Sequence, residues 1–261
     1  MAKRIIPYII LVLICLPQTA ESQKWKLRRY EGLFGVGFCN YFGDIGGAAT
    51  EQNWFGLKDL SIKHTRPSFY LGARYKIRPE MAVKLNLMYG YVAGDDAGSS
   101  HDRGYSFSSN VFEPSVQYEY SLIKEEQRKR SGAMYNKRGM MNNYSQISVY
   151  LYAGIGAVFY SPEVNEAVEA MMSSRGYDSE YSRGGILFPA GLGLKYVISQ
   201  TWSIGAEFGV RLTLTDYLDG YTSPFSKRND LYYFGHIHGI YRIKTSKEGL
   251  PVLFSRGRRR Y

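Results

Sequence analysis

Three things are scarce or missing in this 261-residue chain, and each closes off a class of protein. Two cysteines cannot build a disulfide-rich secreted scaffold, and four histidines leave little for a histidine-based metal centre. Beyond the N-terminus no apolar run reaches the roughly 20 residues that a transmembrane helix needs. Phosphate-binding glycine loops, dinucleotide fingerprints and paired-cysteine metal motifs are also missing. What is plentiful is glycine, with 28 residues, and tyrosine, with 24. That excess argues against a helical bundle. It favours many short strands, with glycine where bulky neighbours crowd the backbone.

The N-terminus reads as a targeting segment. Lys3 and Arg4 precede an almost unbroken apolar run from Ile5 to Leu16, and Ala20 and Ser22 offer small residues for cleavage. Residues 1–22 are therefore expected to be a signal peptide. Ile14 stands before Cys15 where a lipid-anchored protein would need a small residue, so cleavage leaves Cys39 as the only thiol.

Eight segments with a period of two follow, each about as long as a tilted strand needs to cross a bilayer. Phe34, Val36 and Phe38 alternate with Gly35, Gly37 and Cys39; Phe69, Leu71, Ala73 and Tyr75 with Tyr70, Gly72, Arg74 and Lys76. Val83 to Tyr91, Phe112 to Tyr120, Ile147 to Ala157 and Ile186 to Tyr196 repeat the pattern. Trp202 to Thr213 shows it most clearly, and Leu231 to Ile243 closes the series. A soluble sandwich also alternates, but here the polar faces mix glycine, tyrosine and isolated charges, which suits a crowded lumen. The apolar faces end in Tyr or Trp, as interfacial girdles do. The expected fold is all-β: an eight-stranded antiparallel transmembrane outer-membrane β-barrel over residues 23–244, followed by a basic tail over 245–261.

Connection lengths give the orientation. Arg78 to Glu80 and Ser199–Gln200 are tight turns, whereas the alternate connections starting at Gly43, Ala93, Ser161 and Asp216 are long. Short turns are periplasmic in such barrels and long loops face outward, so both termini are expected in the periplasm. Positive charge gathers on the same inner side. Residues 121–143 carry Lys124, Arg128, Lys129, Arg130, Lys137 and Arg138, and the tail ends with Arg256, Arg258, Arg259 and Arg260. These are the candidate docking residues for a periplasmic partner, with peptidoglycan a rival for the same surface. Nucleic acid is not expected where this chain is sent.

Alternation also turns charge inward. Arg74, Lys84, Glu113, Glu119, Lys195, Glu207 and Arg211 fall on lumen faces, with Arg242 a further candidate. Charges in a narrow barrel must pair across strands, because each would otherwise bear a large desolvation cost. The expectation is a packed polar core, not an open pore. No enzyme, cofactor or metal is expected. His236 and His238 share a face but no third ligand is placed beside them, His101 with Ser99, Ser100 or Ser106 is a coincidence that serine-rich loops make common, and Glu163, Glu166, Glu169 and Asp178 read as a solvated acidic loop.

Several strings carry a resemblance. Gly35–Gly37 with Asn40 to Gly47, Arg66–Phe69 with Gly72–Tyr75, and Phe188 to Tyr196 followed by Glu207 to Arg211 are the first of these. The most specific is Thr213-Leu214 running into Thr215, Asp216, Tyr217, Leu218 and Asp219. Over residues 30–244 the chain resembles the Bacteroidota OmpA-like small outer-membrane β-barrel family that includes the PorG-type component of the type IX secretion system. The resemblance implies an integral barrel that anchors a periplasmic secretion ring built of a lipoprotein and its partner subunit. It carries over no catalytic residue and no cofactor.

Overall fold

In the computed structural model, the described residues are 23–42, 45, 65–96, 104–125, 146–174, 183–215, 217–221, 230–246 and 250–252. The expected signal peptide, Ser99, Ser100, His101, Asp178, Asp216 and all the basic docking residues named above except Lys124 lie outside them. The chain forms eight strands: β1 Tyr30–Phe42, β2 Arg66–Lys76, β3 Met81–Asp95, β4 Ser106–Ile123, β5 Ile147–Val164, β6 Gly184–Val197, β7 Trp202–Thr213 and β8 Leu231–Ile243. Each pairs antiparallel with the next, and β1 pairs with β8 from Tyr30↔Ile243 to Phe42↔Leu231, closing the barrel.

Closure explains why this sequence tolerates so much apolar surface. Phe34, Val36, Leu71, Leu85, Val116, Leu151, Ile155, Leu192 and Ile237 all point outward and are 47–61% exposed. That belt would aggregate in water and is at home in lipid, where every backbone polar group must be paired within the protein and an open sheet edge is excluded. Aromatic rings mark its border at the tight-turn end. Tyr30 packs on Tyr75 at 5.1 Å, and Trp202 on Tyr241 at 5.0 Å. The protein is an outer-membrane, multi-span β-barrel.

The strands are longer at the end of the long connections than the alternation suggests. β3 runs to Asp95 and β5 to Val164, so Glu163 belongs to a strand and not to a loop. A helix, α1, follows at Glu166–Ser174. Asn165 caps it, its side-chain oxygen accepting from the Val168 amide at 3.2 Å. One face of α1 buries Val168 and Met172 in a hydrophobic cluster with Val92, Phe107, Val111, Tyr160 and Leu187. Of the acidic residues, Glu166 and Glu169 thus sit exposed on a helical lid and Glu163 on a strand, not on a free loop.

Inside, glycine gives bulky lumen side chains their room. A methyl at Gly193 would sit 2.5 Å from Cε2 of Tyr150, and one at Gly191 would sit 2.6 Å from the Tyr152 hydroxyl. Both tyrosines therefore lie flat across β6. Gly193→Leu is expected to block folding, whereas Leu192→Phe, one residue away and facing lipid, is expected to fold normally. Heat-dependent mobility on gels after refolding into detergent checks this; a normally folded Gly193→Leu barrel would refute it.

Candidate functional site

The lumen is the site, and it is built from the tight-turn end upward. At that mouth Glu31 of β1 and Glu125, just beyond β4, meet four cations. Glu31 lies 3.1 Å from Arg74, 2.9 Å from Lys76, 3.3 Å from Arg242 and 3.4 Å from Lys195. Glu125 approaches Arg242 at 2.6 Å and Lys195 at 3.0 Å, and also pairs with Lys76. Burial pushes the Glu125 carboxyl up, but Lys195, Lys76 and Arg242 together outweigh it and hold the group well below the usual carboxylate range.

The next layer centres on Lys84, which is fully buried. Its ammonium donates to both oxygens of Glu207 at 2.6 and 2.7 Å and lies 2.8 Å from Glu119. Arg74 bridges the two layers, with its Nε 2.7 Å from Glu119 and Nη2 3.6 Å from Glu207. The Tyr150 hydroxyl donates to Glu207 at 2.6 Å. Above this, Arg211 pairs with Glu113 at 3.3 Å and donates to the Tyr152 hydroxyl, while the Tyr232 hydroxyl donates to Glu113 at 2.7 Å. Arg211 also packs on the Phe234 ring, 4.5 Å from its centre.

Beyond Phe234 lies a hydrophobic cluster to which α1 and the 217–221 turn contribute Val168, Met172, Leu218 and Tyr221. The Tyr41 hydroxyl lies 2.8 Å from Asp219 and 2.6 Å from Asp230, both buried. Asp230 accepts from the Leu218 amide, and Asp219 accepts from the Tyr221 amide at 2.9 Å each, around a turn in which Gly220 has a φ of +70°. Thr215 contacts the Tyr160 hydroxyl at 2.8 Å. Four of the five residues singled out as a family marker are described, and Thr215, Leu218 and Asp219 tie the described part of the β7–β8 connection across that end of the barrel.

All seven lumen residues read from the sequence face inward and are buried. Glu207 and Arg211, which share a strand, do not pair with each other. Glu31 and Glu125 were not among the expected residues, and Lys76, which alternation puts on the Arg74 face, was not singled out for the lumen network. Glu31 follows from extending the β1 alternation back two residues past Leu33; Glu125 carries no such signal, because it lies past the strand end in a basic stretch. It is turned into the barrel, while Lys124 beside it is exposed. The start of the basic tail is folded too: Thr245 bridges Pro251, and its amide donates to the Leu27 carbonyl at 2.8 Å. His236 and His238 lie beside Glu207, the cluster best able to hold a metal ion among the described residues.

Removing one member of a buried ion pair costs about 3–5 kcal/mol, because its partner is left uncompensated. Lys84→Met and Glu207→Gln are each expected to lower barrel stability by amounts of that order. The double variant should lose clearly less than the two combined. Urea unfolding in lipid vesicles measures this, and strictly additive losses would contradict the pairing.

Solved structures similar in architecture include Neisserial surface protein A, at 11% identity over 82% of this chain and 96% of that one, with a TM-score of 0.42. A major outer membrane protein from Thermus thermophilus shares 10% identity over 82% and 99%, with a TM-score of 0.42. OprG from Pseudomonas aeruginosa shares 9% over 84% and 98%, with a TM-score of 0.41. Likenesses this distant concern architecture alone. No curated protein sequence matches the chain. Residues 3–240 match the family described as Domain of unknown function (DUF6089), and the chain belongs to that family.

Proposed function

We propose that this protein is a non-enzymatic structural barrel, closed to solute flow, that meets other molecules at its two rims. The observation that carries the reading is the filled lumen: paired charges from Glu31 to Arg211, then tyrosines, then an apolar seal under α1 and the Leu218–Asp219 turn. Such a core gives rigidity and supports a barrel closed to solute flow. Tight turns at Arg78–Glu80 and Ser199–Gln200 support placing that end, with both termini, in the periplasm. The outer end then presents α1, whose Glu166 and Glu169 lie in its first turn, as a surface for extracellular contacts.

A second reading concerns the inner rim. Exposed Lys124 leads into the basic stretch that continues to Arg138, and the Thr215–Asp219 string carries the resemblance to the secretion-associated family. Together they support attachment to a periplasmic secretion ring, its lipoprotein and partner subunit, with peptidoglycan as the competing partner. Two measurements separate these readings. Purified barrel in planar bilayers is expected to show no unitary conductance, and steady single-channel steps would overturn the closed barrel. In-cell crosslinking from Lys124 is expected to capture a ring subunit if the second reading holds; a barrel recovered without one, with secretion unchanged on deletion, would retire it.

A further inference from the structure

One cluster in the lumen is not explained by its ion pairs. His236 and His238 are two residues apart on β8, so both imidazoles enter the lumen from the same face. They are 3% and 1% exposed, and all four ring nitrogens are buried without a hydrogen-bond partner among the described residues. A buried imidazole with both nitrogens unsatisfied is costly, and a native structure that retains two side by side calls for an account. Glu207 on β7 sits directly opposite His236 in the strand pairing. Its Oε2 is 3.6 Å from His236 Nε2, and one ligand atom from each of the three residues lies within 4.8 Å of the others.

We propose that Glu207, His236 and His238 form a binding site for one divalent transition-metal ion of the zinc type. Two neutral imidazoles and one carboxylate are the ligand set such borderline ions favour, at bonds of about 2.0–2.2 Å. The His–Glu separation is already close to the ligand–ligand spacing those bonds give. Small rotations of the rings, whose centres are 4.8 Å apart, bring the second imidazole in. The surroundings confine the rings and leave them room to turn. Tyr70 lies tilted against His236 at 3.9 Å and Phe234 stacks on it at 4.7 Å, and glycine faces both histidines across β1, at Gly35↔His238 and Gly37↔His236.

Two cations face the same carboxylate. Lys84 contacts both Glu207 oxygens and Arg74 lies 3.6 Å from Oε1. Tyr150 donates to Oε1 as well, so that oxygen has three partners without the metal, and Oε2 is the one turned toward His236. Metal binding requires Lys84 to give up Oε2 while keeping Oε1 and Glu119, which is 2.8 Å away. The positive neighbours moderate the affinity without blocking the site. Because the lumen is closed, loading is expected during folding and slow exchange thereafter.

The test uses untagged barrel refolded into detergent with excess Zn²⁺ and freed of unbound metal by gel filtration, with zinc measured per folded chain. About one zinc per chain is expected in the wild type. The same is expected of the His64→Gln/His101→Gln double variant, which removes the only other histidines. His236→Gln and His238→Gln, confirmed folded by gel mobility, should each fall below a tenth of that. Wild type refolded with Co²⁺ should show the intense visible absorption of a four-coordinate ion, a readout that stands even if a histidine variant does not fold. Folded wild type without stoichiometric zinc, or with zinc that His236→Gln and His238→Gln retain, would overturn the proposal. So would cobalt bound with only the weak spectrum of the hexahydrate.

Discussion

The structure depends on the electrostatic neutralisation of a narrow lumen. An eight-stranded barrel is too tight for bulk water and too polar inside for an oil-like core, because half of every strand must face in. This chain fills that space with carboxylates at Glu31, Glu113, Glu119, Glu125 and Glu207, set against Arg74, Lys76, Lys84, Lys195, Arg211 and Arg242. Any one of these charges alone would cost several kcal/mol in such surroundings. Held together across the barrel, they also pin the strands to one register: Arg74 on β2 reaches Glu31, Glu119 and Glu207 on β1, β4 and β7. Sliding a single strand by one residue would turn its charges into lipid.

The two ends are packed by different physics. The mouth at the tight-turn end is an ionic knot in which Glu125, supplied from beyond the end of β4, is drawn back among Lys76, Lys195 and Arg242. The opposite end is an apolar cluster, fastened by the buried Tyr41–Asp219–Asp230 contact and covered by Val168 and Met172 of α1. This division suits a molecule that keeps a fixed cylinder in the membrane and leaves its rims for contacts. The family marker string fits the same view. Leu218 and Asp219 act in closing the barrel, so the string reports the fold more directly than it reports a partner.

How much of this the sequence discloses follows from the period of two. Which face each strand residue takes was legible nearly everywhere, since parity alone decides it: Arg74, Lys84 and Glu207 could be placed inside without knowing any neighbour. Who pairs with whom was not, because partners depend on the relative register of strands far apart in the chain, as with Lys84 and Glu207. The same limit hid the third ligand beside His236 and His238. The lid was illegible for another reason. Glu166 and Glu169 give its first turn the look of a solvated loop, while the burial of Val168 and Met172 depends on a barrel rim formed by other strands. Glu125 shows the opposite failure, one of two adjacent acids in an otherwise basic stretch, whose role is fixed by the mouth it folds into.

A filled lumen has a built-in reporter. Cys39 points inward on β1, fully buried, and is the only thiol in a chain beginning at Gln23. Labelling of the barrel in lipid vesicles with a charged, water-soluble maleimide measures directly whether water-borne solutes enter from either side. Cys39 in the folded barrel is expected to stay unlabelled over hours and to react promptly once the barrel is unfolded in urea. Labelling of the folded barrel at the unfolded rate would mean that the lumen is open, and would contradict the closed, charge-filled cylinder.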